Sequence, residues 1–455
     1  MLQERTVEYN YLKGFYNRSD NQIVVTYGGK YSGIDSFIQD LISEKDYFYY
    51  KARACSMNEQ ISLWRSELKE DLPKNTDLGY GYLGILTAMV NQKTEKRIII
   101  IDEFQNIIKY SDNFMDCLIR VANDKWNNQP ILFILATSSV YWVENTMVEK
   151  MGKAAYEING LLKINDLNFL NLVRYFQKYK LKSNVEVYSI LGGHRDLWNY
   201  WDDDKSVSEN ICSKILKKGS FFYEYGCHIL PEELREPNVY NTILSTLAQG
   251  NEKLNDIYKH TGYSRAKISV YLKNLIALNL VEKVDSYDTQ GRENAKKGIY
   301  RICDPFVDFW FYFVFSRLSK LAVSTPEKFY NKYISSELKN YTSRYFKDVC
   351  AEYLELMNKM GQLRYSYVKS GSWAGKVGNI DIIAQDKDGH TLVGQCNWEK
   401  SRMTYEDYEW LVFCVKQAKL KAEDYYLFSA NDFDERLKTE AENSENIYLI
   451  DSTKL

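Results

Sequence analysis

Residues 97–103 read RIIIIDE, and no other stretch of the 455-residue chain constrains its fold more tightly. Four consecutive isoleucines put β-branched side chains on both faces of one strand, so protein must cover both faces. Such a strand belongs in a parallel sheet with helices on either side. Two carboxylates, Asp102 and Glu103, then emerge together at its carboxyl end. The neighbouring pattern points the same way. Strand-like apolar runs recur at 23–27, 46–50, 97–101 and 131–136, and helical periodicity fits 33–43, 57–70, 77–92 and 111–125. That alternation predicts a parallel sheet over residues 1–160.

The first strand runs into a glycine turn and then a helix, in IVVTYGGKYSGIDSFIQDLI (23–42). Strand, glycine loop and helix are the layout of a phosphate-binding loop. Where such a loop carries Lys and then Ser or Thr, this chain has Ile34 and Asp35. The lysine is a point charge on the β- and γ-phosphates, and the hydroxyl is a Mg²⁺ ligand. Ile34 supplies no charge, and Asp35 puts a negative one near the phosphate position. Gly28 and Gly33 remain, so main-chain N–H groups and a helix N-terminus are still on offer. Lys30 lies within the loop, where its side chain could reach a phosphate.

Residues 161–236 are mostly helical in pattern. The segment KLNDIYKHTGYSRAKISVYLKNLIALNLVEKV (253–284) reads as helix, turn, helix and strand, with a further helix expected at 238–249 and a strand at 298–302. Gly262 falls in the turn and Ser264 is placed to cap the second helix. Ile268, Leu272, Leu275 and Ile276 form its core stripe. Arg265, Lys267 and Lys273 are left for DNA, with Arg292, Lys296 and Lys297 on the wing at 285–298. The alternative is a winged helix used for internal packing. FVDFWFYFVF (306–315) is expected to be a core helix joining domains. From residue 341 a second α/β unit follows, with strands expected near 363–369, 379–385, 390–396 and 424–428 and a helix at 405–420.

Composition narrows the function classes. Lys plus Arg number 59 against 61 Asp plus Glu, so any nucleic-acid surface must be local. Eight scattered cysteines without a CxxC pair and four isolated histidines offer no zinc spacing. They read as reduced thiols of a cytoplasmic protein. Asp202, Asp203 and Asp204 read as a solvated turn, and no metal site is expected. The charged N-terminal stretch lacks a signal-peptide core, and no apolar run is long enough to span a membrane.

Taken in order, several segments resemble one family: archaeal-type P-loop ATPases of the AAA/STAND lineage with a winged helix and a C-terminal PD-(D/E)xK nuclease-like domain. LQERTVEYNYL resembles the family's opening box, with Arg5 and Glu8 in register. VVTYGGKYSGIDSF stands at the phosphate loop and IIIIDEFQ at Walker B. LFILATSSV ends in Ser138 and Ser139 where the sensor strand would end. LGGHRDLWNYW stands at the Gly-Gly-x-Pro helix start, with Arg195 in place of the proline, and YRICDPFVDFWFYFVF at the junction after the winged helix. The fold implied is multidomain α/β. It comprises a P-loop NTPase-like parallel-sheet domain (1–160), a helical lid (161–236), a winged helix (237–303), an aromatic helical bridge (304–340) and a restriction-endonuclease-like α/β domain (341–455).

The resemblance also implies roles. Asp102 would hold Mg²⁺ and Glu103 would polarise water. Arg5, Gly28, Lys30, Gly33, Ile34, Asp35 and Ser138 would line the nucleotide. In the nuclease-like segment Asp381 matches the motif's Asp. Gln395 replaces its Glu, Asn397 its Lys, and Lys347 the Glu of an earlier helix. Clustered carboxylates bind the hard cation in such sites, and only one of four positions is kept. Lys347 would then pair with Asp381 or touch a phosphate. Both chemistries are expected to be lost. The leading expectation is a non-catalytic scaffold that binds double-stranded DNA or a protein partner, away from membranes, with no cofactor firmly implied. The alternatives are a nucleotide-responsive switch that still binds ATP or ADP with Mg²⁺, and a weak ATPase.

Overall fold

The computed structural model describes residues 4–43, 45–91, 97–111, 113–124, 130–230, 234–287, 298–375 and 377–455. They form two compact units, one of residues 1–166 with 194–197 and 277–279, the other of 167–193, 198–276 and 280–455.

The first unit is a five-stranded sheet of β1 (Gln22–Gly28), β2 (Asp46–Lys51), β3 (Arg97–Asp102), β4 (Leu132–Thr137) and β5 (Gly160–Ile164). The order is β2-β3-β4-β1-β5, and every pairing is parallel. The isoleucine run behaves as its composition demands. Ile99 and Ile101 enter the core on one face, and Ile98 and Ile100 that on the other. Helices α1 (Thr6–Tyr16) and α2 (Ile34–Ile42) cover the second face through Leu12, Phe15, Phe37, Ile38 and Leu41. β5 was not expected, and a boundary at residue 160 cuts through it. It is a five-residue edge strand that buries only Gly160, Leu162 and Ile164, too short a period-two signal to stand out.

The second unit opens with helices Phe169–Tyr175, Leu181–Leu191, Val207–Asn210 and Phe221–Cys227, and a π-helical turn at Ile211–Ile215. The winged helix follows as helices Pro237–Ala248, Leu254–Thr261 and Arg265–Ala277 and the antiparallel hairpin β6 (Val281–Val284) and β7 (Ile299–Ile302). Gly262 takes a φ of +71° in the turn, and the Ser264 hydroxyl accepts from the Lys267 N–H at 3.2 Å as the cap. Ile276 is 37 % exposed, so the core stripe of this helix is Ile268, Leu272 and Leu275. Arg292, Lys296 and Lys297 lie outside the described residues.

The aromatic stretch is not one helix. An α turn (Pro305–Phe309), a π turn (Trp310–Val314) and a 3₁₀ turn (Phe315–Arg317) follow one another. Phe306, Phe309, Trp310 and Phe313 are buried there, as a segment apolar all round requires. After the long helix Leu338–Lys359 comes a mixed sheet of β8 (Lys369–Ala374), β9 (Asn379–Gln385), β10 (Thr391–Asn397), β12 (Asp424–Ser429) and β14 (Ile447–Asp451), with β11 (Arg402–Met403) and β13 (Asp432–Phe433) as a small side pair. β8, β9 and β10 run antiparallel, while β10, β12 and β14 run parallel. The strand expected at 363–369 begins only at Lys369. The Asn358 side chain bonds both the N–H and the C=O of Tyr367, at 3.0 and 2.9 Å, in place of a strand partner.

Candidate functional site

The carboxyl ends of β1, β3 and β4 bring together the phosphate-loop segment and the Asp-Glu pair. Gly28 ends β1, and a side chain there would meet the Ser32 hydroxyl at 2.5 Å and the Ile164 carbonyl at 2.6 Å. Gly33 caps α2 with a φ of +95°, which favours glycine. Among the described residues no side chain caps α2, so its first-turn N–H groups keep the donors of a helix start. Ile34 turns inward and joins the core with Phe37, Ile38 and Ile100. Lys30 is exposed and lies over the Tyr31 ring.

Two arginines brace the loop. The buried Arg5 guanidinium donates to the Ser32 carbonyl at 2.5 Å and the Asn165 carbonyl at 2.8 Å, and pairs with Glu8 at 3.2 Å. Residues 194–197 lie against the same loop. The buried Arg195 pairs with Glu4 at 3.2 Å, and its Cβ is 3.0 Å from where a Gly33 side chain would begin. The Asp196 N–H donates to the Tyr31 carbonyl at 3.2 Å, and Ser36 donates to the Asp196 carboxylate at 2.5 Å.

Asp102 is almost fully occupied. Its Oδ2 accepts from Tyr49 at 2.7 Å and lies 2.8 Å from the Lys51 ammonium, while Oδ1 accepts from the Glu103 N–H at 2.9 Å. The pairing register of β2 and β3 sets Lys51 directly beside Asp102. Burial and then the Asp102 hydrogen bond push the Tyr49 hydroxyl well up, so it stays a donor. Burial works against the Lys51 charge, but Asp102, with Asp35 and Glu103, raises its pKa on balance. Glu103 has a φ of +51° and accepts from Ser138 at 2.6 Å and Gln105 at 2.5 Å. Asp35 is exposed; desolvation raises its pKa, Lys51 opposes, and Asp102, Asp196 and Glu103 add to the rise. Tyr49 and Lys51 escaped sequence reading because β2 carries no motif. The only signal was Lys51 at the end of a strand next to an acidic one.

The C-terminal sheet holds a second such centre. Asp381 on β9 has a side chain 3 % exposed. Its Oδ1 meets Lys347 of the long helix at 2.6 Å, and its Oδ2 accepts from Gln395 at 2.7 Å and the Cys396 N–H at 3.0 Å. Burial disfavours the Lys347 charge and Asp381 more than restores it, raising the pKa. Asn397 makes no hydrogen bond to Asp381 among the described residues. Its side chain accepts from the Lys400 N–H at 3.0 Å and so holds a turn.

On the winged helix, Arg265 bonds Asn255 at 2.6 Å and lies over the Tyr258 ring, and Lys267 pairs with Glu236 at 2.9 Å. Lys273 is exposed and has no ion pair among the described residues. Ala266, Ser269 and Val270 share the exposed side of the helix. The base of the wing is tied down: Tyr287 is buried in the core of the C-terminal sheet and donates to Gln385 at 2.9 Å. Asp202, Asp203 and Asp204 each face a lysine, Lys205 at 3.1 Å and Lys178 at 3.4 and 2.6 Å. No helix among the described residues is long and apolar enough to cross a membrane.

Three family models match parts of the chain. Residues 2–197 match the family described as an ATPase domain predominantly from Archaea. Residues 241–283 match the arsR family of bacterial regulatory proteins, and 310–409 a family of archaeal and bacterial proteins of unknown function. An uncharacterized protein of Methanocaldococcus jannaschii is 26 % identical over 401 residues, covering 88 % of each chain. Among solved structures, the Walker-type ATPase of Pyrococcus abyssi is 14 % identical, covers 68 % of this chain and 95 % of its own, and has a TM-score of 0.48. The ORC2 protein of Aeropyrum pernix is 15 % identical, with 70 % and 92 % covered and a TM-score of 0.40.

Proposed function

We propose that this chain, which carries an archaeal-type P-loop ATPase domain, a winged helix and a C-terminal α/β domain, works without ATP turnover or nuclease chemistry, as a double-stranded-DNA-binding scaffold. One observation carries the reading: the Asp102 carboxylate is filled by Lys51, Tyr49 and a main-chain N–H. Mg²⁺ demands a near-ideal set of oxygens and parts with water reluctantly. An ammonium 2.8 Å from Asp102 competes for the same charge. No lysine stands at residue 34 and no hydroxyl at 35 to make up the loss. Asp381 is filled in the same manner, which supports a non-cleaving C-terminal domain. For DNA the support is the winged-helix match and the exposed helix face around Lys273.

Two measurements test this. Purified protein with Mg-ATP is expected to release no phosphate above buffer. Duplex affinity, read by fluorescence anisotropy, should fall with salt, ignore ATP, and lose about one unit of salt slope in Lys273→Ala. Phosphate release that Glu103→Gln abolishes would overturn the proposal.

A second reading, a nucleotide-responsive switch, is favoured by the uncapped N-terminus of α2. Calorimetry with Mg-ATP to about 1 mM, a limit near −4 kcal/mol, decides it. One saturating site moves the function to the switch. Ile34→Lys with Asp35→Thr should raise ATP affinity, and no gain would mean that the loop backbone no longer presents a phosphate cradle.

A further inference from the structure

Between residues 199 and 222 the second unit holds a cavity of about 630 Å³, lined by none of the residues around Asp102 or Asp381 and none of the winged helix. Its volume is within the ordinary ligand range of roughly 300–1,000 Å³. Two features of its wall are unusual together. The first is an aromatic platform. Tyr200 and Phe221 stack with ring centroids 3.8 Å apart and planes within 3°. Tyr200 is nevertheless 44 % exposed. An exposed ring backed by a second ring is a rigid π-surface that costs little to order.

The second feature is charge. Lys214, Lys217 and Lys218 line the cavity, and among the described residues none has a carboxylate within ion-pair distance. The wall's acids are already matched, Asp202 to Lys205 and Asp203 to Lys178. The lysines sit on a defined turn. The Leu216 N–H donates to the Ile211 carbonyl in a π turn, Gly219 takes a φ of +81°, and the Ser220 hydroxyl lies 2.6 Å from the carbonyls of both Lys214 and Lys217. Rigid π-turns of this kind frequently mark functional sites.

A π-face beside unpaired ammonium groups is the recognition chemistry of a phosphorylated nucleoside. The base stacks and the phosphates meet lysine, without sequence readout. We infer that this cavity binds a nucleotide unit through Tyr200 and Lys214, Lys217 and Lys218, either free or within a single strand. The site is independent of the phosphate loop and of duplex contact by the winged helix.

The full chain is titrated at low salt with a fluorescein-labelled oligothymidylate, followed by displacement with adenosine 5′-monophosphate. Lys217→Ala with Lys218→Ala, and separately Tyr200→Ala, should each weaken oligothymidylate binding about tenfold or more, the scale of one lost base stack. Lys150→Ala, at an exposed lysine outside the cavity's lining, should leave it unchanged. The exposed lysine pair carries the test even where Tyr200→Ala perturbs folding. Displacement by the monophosphate, lost in the same variants, assigns the free nucleotide as ligand. Binding of the oligonucleotide without displacement assigns the strand. Binding of both probes unchanged in the variants, or of neither at about 1 mM, overturns the inference.

Discussion

Asp102 ends β3 and Asp381 lies within β9, in different units, and each is surrounded by the same three kinds of partner. Each has a lysine, at 2.8 and 2.6 Å, a neutral side-chain donor, Tyr49 or Gln395, and a main-chain N–H. A buried carboxylate without a cation must find other positive charge, because an unpaired one is too costly to keep. The surroundings then differ. Around Asp102 the rest of a phosphate site persists, with an uncapped helix start, Gly33 at positive φ, and Glu103 bonded to Ser138. Around Asp381 the neighbouring positions, Lys347 and Gln395, have become its partners. The first centre keeps an open helix start beside its carboxylate; at the second the side chains around Asp381 bond to it instead.

The sharpest test is Asp381→Ala. It leaves Lys347, Gln395 and the Cys396 N–H without their acceptor, and should lower stability by about 3 kcal/mol in urea unfolding. A loss well below about 1 kcal/mol would show that the carboxylate is not structural. Asp102→Ala should cost less, about 1–2 kcal/mol, because both of its side-chain partners, Lys51 and Tyr49, are exposed and regain water, whereas at Asp381 only the Lys347 side chain is exposed and Gln395 stays half-buried. Equal losses would erase the contrast between the centres.

Lys51→Met and Lys347→Met probe the same difference through cation binding. With Lys51 gone, Asp102 stands near Asp35 and Glu103, and weak Mn²⁺ binding should emerge in a calorimetric or spin-resonance titration. Lys347→Met should produce none, since Gln395 and the Cys396 N–H still hold the other oxygen. The stability cost of Lys51→Met should be about 1–2 kcal/mol, because Asp102, whose side chain is 4 % exposed, keeps Tyr49 and the Glu103 N–H but loses its counter-charge.

The smallest effect is in pH. Folding raises the Asp35 pKa, so the folded chain holds that proton more tightly. Stability should therefore decline as pH rises from the ordinary aspartate value of about 3.9 through the folded value. Asp35→Asn should remove that decline and add about 0.5 kcal/mol at pH 7, a small figure because the side chain is exposed. Lys347 has a raised pKa of the opposite charge type. Its contribution is complete below about pH 10.4 and lost only as pH rises through the folded value, so neutral pH should leave it flat.

Much of the fold was legible from local pattern. The isoleucine strand, the glycine loop, the helix with Ile34, Phe37, Ile38 and Leu41 on one side, and the Gly262–Ser264 turn all carry their signal within a few residues. Elements with weak local signals were misread: β5, a five-residue edge strand, and the segment before Lys369, where Asn358 supplies the backbone partners. At the candidate sites the sequence indicated which residue types were altered but not what replaced their function. Arg5, expected to line the nucleotide, bonds the Ser32 and Asn165 carbonyls, and Asn397, at the position of the motif's lysine, holds a turn with Lys400.

By itself, then, the sequence determined the layered parallel sheet, the winged helix and the presence of Ile34 and Asp35 after the glycine loop, because periodicity and residue chemistry act over short stretches. Only the tertiary structure decided that Lys51 neutralises Asp102 and Lys347 neutralises Asp381. Those partners are 51 and 34 residues apart in the chain, brought together by strand register in one case and by the packing of a helix against a sheet in the other. Electrostatic neutralisation depends on distance in space, and no local pattern encodes it.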